Sequence, residues 1–93
     1  MGVEYALRFY HCDPPAVISA LERLPALRRC GSASSDFEMR SDGVGGGMPD
    51  ASLRVESDGV YFCNYGGAGR HFLGEVVTRL VSEFGAVTVS ELE

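Results

Sequence analysis

Residues 59–92 leave little freedom in the choice of fold, because they pass from strand-like to helix-like periodicity and back within one short segment. Residues 60–65 are apolar for most of their length, as in a central strand, and a glycine-rich turn follows at 66–69. Residues 70–84 then repeat apolar side chains at steps of three and four. The segment therefore predicts a strand, a turn, an amphipathic helix and, at 86–92, a last strand.

The apolar stripe of the helix at 70–84 indicates which side of that helix is buried. Charged residues such as Arg70, Glu75 and Glu83 fall largely on the opposite side, which faces water. A helix with one apolar side over about four turns needs an apolar layer beneath it, so we expect it to pack on a sheet. The stripe consists of Phe72, Leu73, Val76, Val77, Leu80, Val81 and Phe84.

The N-terminal third predicts a strand followed by a short helix. Residues 3–10 alternate apolar and polar side chains, as a half-buried strand does. Asp13 is a candidate N-cap, and the two prolines after it occupy a first turn in which missing donors cost little. Pro25 ends or kinks this helix, and residues 26–31 are predicted to be a connection.

The middle of the chain predicts further strands around a glycine-rich loop. Residues 34–40 alternate again, and residues 53–55 mark another strand. The dipeptide Asp58-Gly59 is a strong signal for a tight turn into the strand that follows. Residues 41–50 contain four glycines and a proline without periodicity, which predicts a flexible loop.

Together these elements predict a single α+β domain that spans all 93 residues. Two helices can cover one face of a sheet of four or five strands, but not both faces. We therefore expect a two-layer α/β sandwich of the ferredoxin-like kind. Its sheet is mostly antiparallel, both helices lie on one face, and the other face is open.

The composition narrows the classes of partner. The formal net charge is −5 at pH 7, which disfavours binding to the phosphate backbone of nucleic acids. No run approaches the roughly 18 apolar residues of a membrane helix, and the N-terminus lacks the pattern of a signal peptide. We therefore expect a cytoplasmic protein without a membrane partner. Cys12, Cys30 and Cys63 lack the number and spacing of a disulfide framework or a zinc site, so no metal is predicted.

The turn before the second helix is a candidate anion-binding site. Backbone N–H groups at a helix N-terminus attract negative groups, and Arg70 adds a charge-assisted donor beside His71. The alternative is a tight connection in which Gly66, Gly67 and Gly69 provide unusual backbone angles. No nucleotide-binding fingerprint accompanies the glycines, and no cofactor is predicted.

Two further chemistries are disfavoured. His11 and Cys12 after the first strand, and His71 on the second helix, are the candidates for an enzyme. Adjacent residues at one strand end do not by themselves converge on a substrate, so no catalytic residue is predicted. Residues 58–65 depart from the strand signature of RNA-recognition modules, because Asp58 stands where that signature has a basic residue. No nucleic-acid partner is predicted.

The open face of the sheet is the candidate interface. If Phe62 faces the helices, alternation directs Tyr61, Cys63 and Tyr65 to the other side, and Tyr10 joins them from the first strand. Tyrosines suit a protein interface because they are large and amphipathic and lose little rotamer entropy. The alternative is that these aromatic residues pair across strands for stability alone.

The favoured function is that of a small non-enzymatic module that binds another protein, or a second copy of itself, through the open face and an acidic surface. Its size and acidity are analogous to those of small bacterial inhibitor or immunity-type proteins, which neutralise a partner by covering its site. A small-ligand or anion-binding domain that uses the turn at 66–71 is the main alternative.

Overall fold

The computed structural model describes residues 2–10, 13–29, 35–40 and 49–92. These residues form six strands and two helices. In chain order the elements are β1 (Val3–Arg8), α1 (Pro14–Leu21), β2 (Leu27–Arg29), β3 (Asp36–Met39), β4 (Ala51–Glu56), β5 (Gly59–Asn64), α2 (Gly69–Phe84) and β6 (Thr88–Leu92). Neither helix is long and apolar enough to cross a bilayer within these ranges.

All six strands join one antiparallel sheet in the order β2-β3-β4-β5-β1-β6. The α+β class, the antiparallel sheet and the two helices are as the sequence predicts. The predicted strand count of four or five is wrong, because the sheet has six strands. The extra strand is β2, which lies in the segment predicted to be a connection. Its three residues are too few to display a two-residue period, and it is defined by pairing with β3 instead.

The core lies between one face of the sheet and the two helices. Phe37, Leu53 and Phe62 come from three adjacent strands and are almost completely buried. Val17 and Leu21 of α1 join the same cluster from above the sheet. The position of β5 between β4 and β1 agrees with its predicted central place.

Helix α2 confirms the predicted amphipathic stripe over most of its length. Phe72, Val76 and Leu80 are buried, while Leu73, Val77 and Phe84 pack partly buried against the core. Val81 is the exception, since 46% of it is exposed. Val81 lies on the same flank of the helix as Leu73 and Val77, about 100° from the buried line, and at this end of the flank the side chain is exposed.

Helix α1 begins at Pro14 and has prolines at its first two positions, as predicted. Asp13 occupies the N-cap position, but its side chain makes no capping hydrogen bond. Its backbone carbonyl instead accepts a hydrogen bond from the N–H of Val17 at 2.9 Å. The helix ends at Leu21, so Pro25 lies in the turn that follows rather than at a kink.

Some of the sequence-based predictions fall outside the described residues. The predicted flexible loop at 41–50 is one, because only Pro49 and Asp50 of it are described. His11 and Cys12 are also outside, so the prediction that they form no catalytic site stays a prediction.

Candidate functional site

The sheet face opposite the helices is built by alternation along β5 and its neighbours. Phe62 belongs to the core, so Tyr61 and Cys63 on either side of it lie on the opposite face. Tyr61 is paired with Ala6 on β1 and with Arg54 on β4. We name this surface the open face. From β1, β3, β4 and β5 it contains Glu4, Ala6, Arg8, Asp36, Glu38, Ser52, Arg54, Glu56, Tyr61 and Cys63.

A groove of about 610 Å³ crosses the open face. Tyr61 and Tyr65 both line it, so the structure brings these two predicted interface residues together. Its charged lining comprises three carboxylates and one guanidinium, which gives the groove a negative balance. Those four residues are Asp36, Glu38, Arg54 and Glu56.

Tyr61 is half-buried and has an altered acidity. Loss of water around the phenol, followed by a hydrogen bond from its hydroxyl to the Glu4 carboxylate, raises the pKa of Tyr61 to about 12. The negative charge of Glu4 acts in the same direction. At physiological pH Tyr61 is a neutral phenol, as an ordinary tyrosine also is, and its hydroxyl donates to the Glu4 carboxylate.

Tyr65 is fixed by a different partner. Its hydroxyl lies 3.1 Å from Ser52 Oγ on β4, a hydrogen bond in which either oxygen can donate. The ring is half-buried and follows directly after β5. Since both tyrosines have polar partners within the sheet, their rings have restricted orientations before any ligand arrives.

Cys63 lies on the open face but is only 5% exposed. Gly2 covers it: a Cβ atom at Gly2 would lie 2.5 Å from Cys63 Sγ and 3.2 Å from the ring of Tyr65. A partner on this face would thus meet Gly2 and the tyrosines rather than the thiol. Sequence patterns do not single out Gly2, because a residue without a side chain contributes nothing to the periodicity of a strand.

Tyr10, the fourth predicted interface residue, lies apart from the groove. It follows the end of β1, is 86% exposed and does not line the groove. Its predicted role at an interface is therefore separate from that of Tyr61 and Tyr65.

Ion pairs border the open face on the side of β3. Arg54 Nε donates to Asp36 Oδ1 at 2.9 Å, and this hydrogen bond raises the pKa of the Arg54 guanidinium further. Arg40 donates to Glu38 at 3.2 Å. The alternation of β3 already directs Asp36 and Glu38 outward, whereas Arg54 becomes a groove residue only through the register of β4 with β5.

The glycine turn before α2 contains an internal carboxylate. The backbone N–H of Ala68 donates to Asp50 Oδ2 at 3.2 Å, and that of Gly66 donates to Asn64 Oδ1 at 2.9 Å. A Cβ at Gly69 would collide with the Asn64 side chain and lie 2.7 Å from the Asp50 carbonyl oxygen. Close packing thus accounts for this glycine without a ligand.

Asp50 also holds the surrounding backbone together. Its N–H donates to the Met39 carbonyl at 3.0 Å, and its own carbonyl accepts from Tyr65 N–H at 2.9 Å. The carboxylate therefore reaches the N-terminus of α2 from a firmly anchored position. Because Asp50 and Ala68 are 18 residues apart, local sequence patterns could not have paired them.

The candidate anion site also includes two glycines of the turn and two side chains at the start of α2. Gly66 and Gly67 have positive φ angles of 125° and 54°. Arg70 and His71 line a separate open groove of about 630 Å³ beside the helix, where His71 Nε2 lies 3.7 Å from a Glu75 carboxylate oxygen. Anion binding at this turn stays a prediction, and a ligand would share the helix N-terminus with Asp50.

The described residues contain no group of three or more His, Cys, Asp or Glu side chains that could hold a metal ion. Comparison with known proteins found no matching family model, no matching curated protein and no matching solved structure.

Proposed function

We propose that this protein is a small non-enzymatic binding module, of the inhibitor or immunity kind, that covers a basic segment of a partner protein through its open face. The observation that carries the proposal is the pair Tyr61 and Tyr65. Both are half-buried, both have polar partners in the sheet, and both line one groove with a negative charge balance.

The tyrosines supply the affinity in this proposal. Aromatic side chains near the centre of an interface bury a large area and often lose more than about 2 kcal/mol of binding energy on truncation. Rings that already have restricted orientations lose less conformational entropy when a partner binds. Tyr61 and Tyr65 meet both conditions, with Glu4 and Ser52 as the groups that orient them.

The carboxylates supply the selectivity. Three carboxylates and one guanidinium line the groove, and Asp36 pairs with Arg54 while Glu38 pairs with Arg40. A Lys- or Arg-rich segment complements this lining better than an acidic one, because its cations can act as further partners of the carboxylates. Interactions between exposed charges are screened by salt, with a Debye length that falls from about 10 Å at 0.1 M to about 3 Å at 1 M. Binding of such a partner should therefore weaken as the salt concentration rises.

The test uses synthetic peptides that alternate Lys or Arg with apolar residues, and the same peptides with Glu in place of each basic residue. Amide shifts of the labelled protein map the site, and a titration gives Kd. The basic peptides should shift the amides of Ser52, Tyr61 and Tyr65, and Tyr61→Ala should raise Kd by about 30-fold, equivalent to about 2 kcal/mol. Thr78→Ala, on the outer side of α2, is the control that should leave Kd unchanged.

Two results would contradict the proposal. One is equal binding of the basic and acidic peptides. The other is a Kd that Tyr61→Ala and Tyr65→Ala leave unchanged while both variants remain folded. Tyr10→Ala tests how far the surface extends, because this side chain lies outside the groove.

The finer description of the fold and a cytoplasmic location belong to the same proposal. The elements β1, α1, β4, β5, α2 and β6 follow a β-α-β-β-α-β order, and their strands are arranged β6-β1-β5-β4 in the sheet. This order supports a ferredoxin-like unit in which the β2–β3 pair extends one edge. A cytoplasmic location is proposed from the cysteine pattern of the sequence, which lacks the number and spacing of a disulfide framework.

A further inference from the structure

The two edges of the sheet are protected to different degrees. At one edge, β2 has three residues, and two of them are the exposed arginines Arg28 and Arg29. Short strands and charged side chains are usual devices that prevent an edge from pairing with another chain. At the other edge, all five residues of β6 are exposed, and the strand contains one charged residue, Glu91, and no proline.

Exposed apolar side chains lie on β6, the less protected edge. Val89 is 44% exposed and Leu92 is 37% exposed, on opposite faces of β6. Val89 is paired with Leu7, so it lies on the face that carries the helices. Phe84 of α2 stacks on Phe9 after β1 with ring centroids 5.2 Å apart, and β6 lies one strand beyond β1. The helices therefore leave the Val89 side of β6 partly uncovered.

We propose that β6 pairs antiparallel with β6 of a second copy of this chain, in a register centred on Val89. The pairing joins two six-stranded sheets into one continuous sheet. A two-fold axis perpendicular to the sheet passes between the two Val89 residues and leaves the helices of both copies on the same face. This inference concerns the edge of the sheet and is independent of partner binding on the open face.

A second copy is the occupant that matches this edge. The outward N–H and C=O groups of an edge strand require the edge of another strand, and an antiparallel strand is complementary to itself about a two-fold axis. Within the described residues, β6 is the less protected edge, with one charge in five residues against two charges in the three residues of β2, and each copy contributes the same one.

Charge excludes one register, and contact between apolar side chains favours the one centred on Val89. With Val89 on the axis, Thr88 lies opposite Ser90 of the other copy, and Glu91 lies opposite Val87. A register centred on Glu91 would set two carboxylates directly opposite each other, which is destabilising. The Val89 register also places the two valine side chains against each other, with Cβ atoms about 4.5–5.5 Å apart.

The net charge of each chain gives the proposal a distinctive salt dependence. Two chains of formal charge −5 repel each other, and salt screens this repulsion. Dimerisation should therefore strengthen as salt is raised, whereas binding of a basic partner on the open face should weaken. Because the two salt dependences have opposite signs, a failure of the dimer proposal can be distinguished from a failure of the partner-binding proposal.

The experiment is sedimentation velocity of the whole chain as a function of concentration, for the unmodified protein and two variants. Val89→Lys places a charge on the proposed axis and should raise the dimer Kd at least about tenfold. Val81→Lys is the matched control, because it changes the same residue type at similar exposure, 46% against 44%, but on α2. It should leave the dimer Kd within about twofold. A protein that remains monomeric up to about 1 mM would overturn the proposal.

Equal dissociation by Val81→Lys and Val89→Lys would also overturn it, since the apolar flank of α2 would then form the contact. Amide spectra establish that both variants are folded. A dimer of mixed labelled and unlabelled chains tests the register directly, through isotope-filtered contacts between Val89 methyl groups. Contacts between Val89 methyls support the proposed axis, and intermolecular contacts confined to other strands contradict it.

Discussion

The phenol oxygen of Tyr65 and the Oγ of Ser52 lie 3.1 Å apart, and this contact links the chain after β5 to strand β4. The pair is partly buried on the open face, where the groove also begins. The same hydrogen bond therefore contributes to the stability of the sheet and to the orientation of a proposed binding residue.

Replacing either member of this pair should have the same effect on stability. Ser52→Ala and Tyr65→Phe should each lower the free energy of unfolding by about 0.5–1.5 kcal/mol, and the double variant should lose little more. Urea unfolding of the four proteins forms a double-mutant cycle. Strict additivity would mean that the two hydroxyl groups do not interact.

Leu80 and Val81 are neighbours on α2, but one is buried and the other is half-exposed. Truncating each should therefore lower the free energy of unfolding by very different amounts. Leu80 is fully buried, so Leu80→Ala should cost about 2–5 kcal/mol. Val81→Ala should change stability by less than about 0.5 kcal/mol, since the side chain is half-exposed and alanine favours helix. Similar losses for the two variants in denaturant unfolding would contradict the described orientation of α2.

Tyr61 should ionise at a higher pH than an ordinary tyrosine. Absorbance at the tyrosinate band should contain a late phase near the Tyr61 pKa of about 12, against an ordinary value near 10. Tyr61→Phe should remove this phase, and Glu4→Gln should move it to lower pH. Tyr10→Phe is the control that should retain it, because Tyr10 is not among the groups that raise this pKa.

The same pKa predicts a pH dependence of stability. The folded state raises the pKa of Tyr61, so its contribution is fully present below pH 10 and is lost as the pH rises to about 12. Unfolding free energies measured across this window should fall less steeply for Tyr61→Phe than for the unmodified protein. Parallel curves would indicate that Tyr61 ionises equally easily in both states.

Asp50 should stabilise the start of α2. Asp50→Ala removes the acceptor of the Ala68 N–H and should cost about 0.5–2 kcal/mol, as the loss of a capping side chain does. Asp58→Ala removes a carboxylate 3.3 Å from the exposed Arg8 and should cost less than about 1 kcal/mol. Equal costs in thermal unfolding would argue against a capping role.

Sulfate distinguishes capping from anion binding at the same turn. In the unmodified protein the Asp50 carboxylate already lies there, so sulfate should raise Tm only slightly. In Asp50→Ala the positive end of the helix is exposed, and sulfate should raise Tm more. Adding Arg70→Ala should reduce that gain. A large sulfate effect in the unmodified protein would instead favour the anion-binding alternative.

Periodicity was sufficient to predict the parts of the fold that repeat a pattern over many residues. The stripe from Phe72 to Phe84 and the alternation around Phe62 each contain several independent positions, so one exposed residue such as Val81 did not obscure them. Strand β2 has no such redundancy. Its assignment depends on pairing with β3, which is a tertiary property.

In the candidate site, too, some features could be predicted from periodicity and others could not. Alternation placed Tyr61 on the open face, but it could not indicate that Gly2 covers Cys63 or that Asp50 reaches the N-terminus of α2. Both contacts join residues far apart in the chain, and neither residue type signals its partner. Alternation therefore predicts the face on which Tyr61 lies, whereas the covered thiol and the internal carboxylate follow from the tertiary structure.

The position of Gly2 over Cys63 makes this thiol a reporter of motion at the start of β1. With Sγ enclosed, an alkylating reagent can reach it only when the N-terminal end of β1 leaves its place beside β5. The rate of Cys63 modification, followed by peptide mass, would then measure how often that end opens. A ligand seated across Tyr61 and Tyr65 would slow the reaction without touching the sulfur, so the native chain contains its own probe for occupancy of the open face.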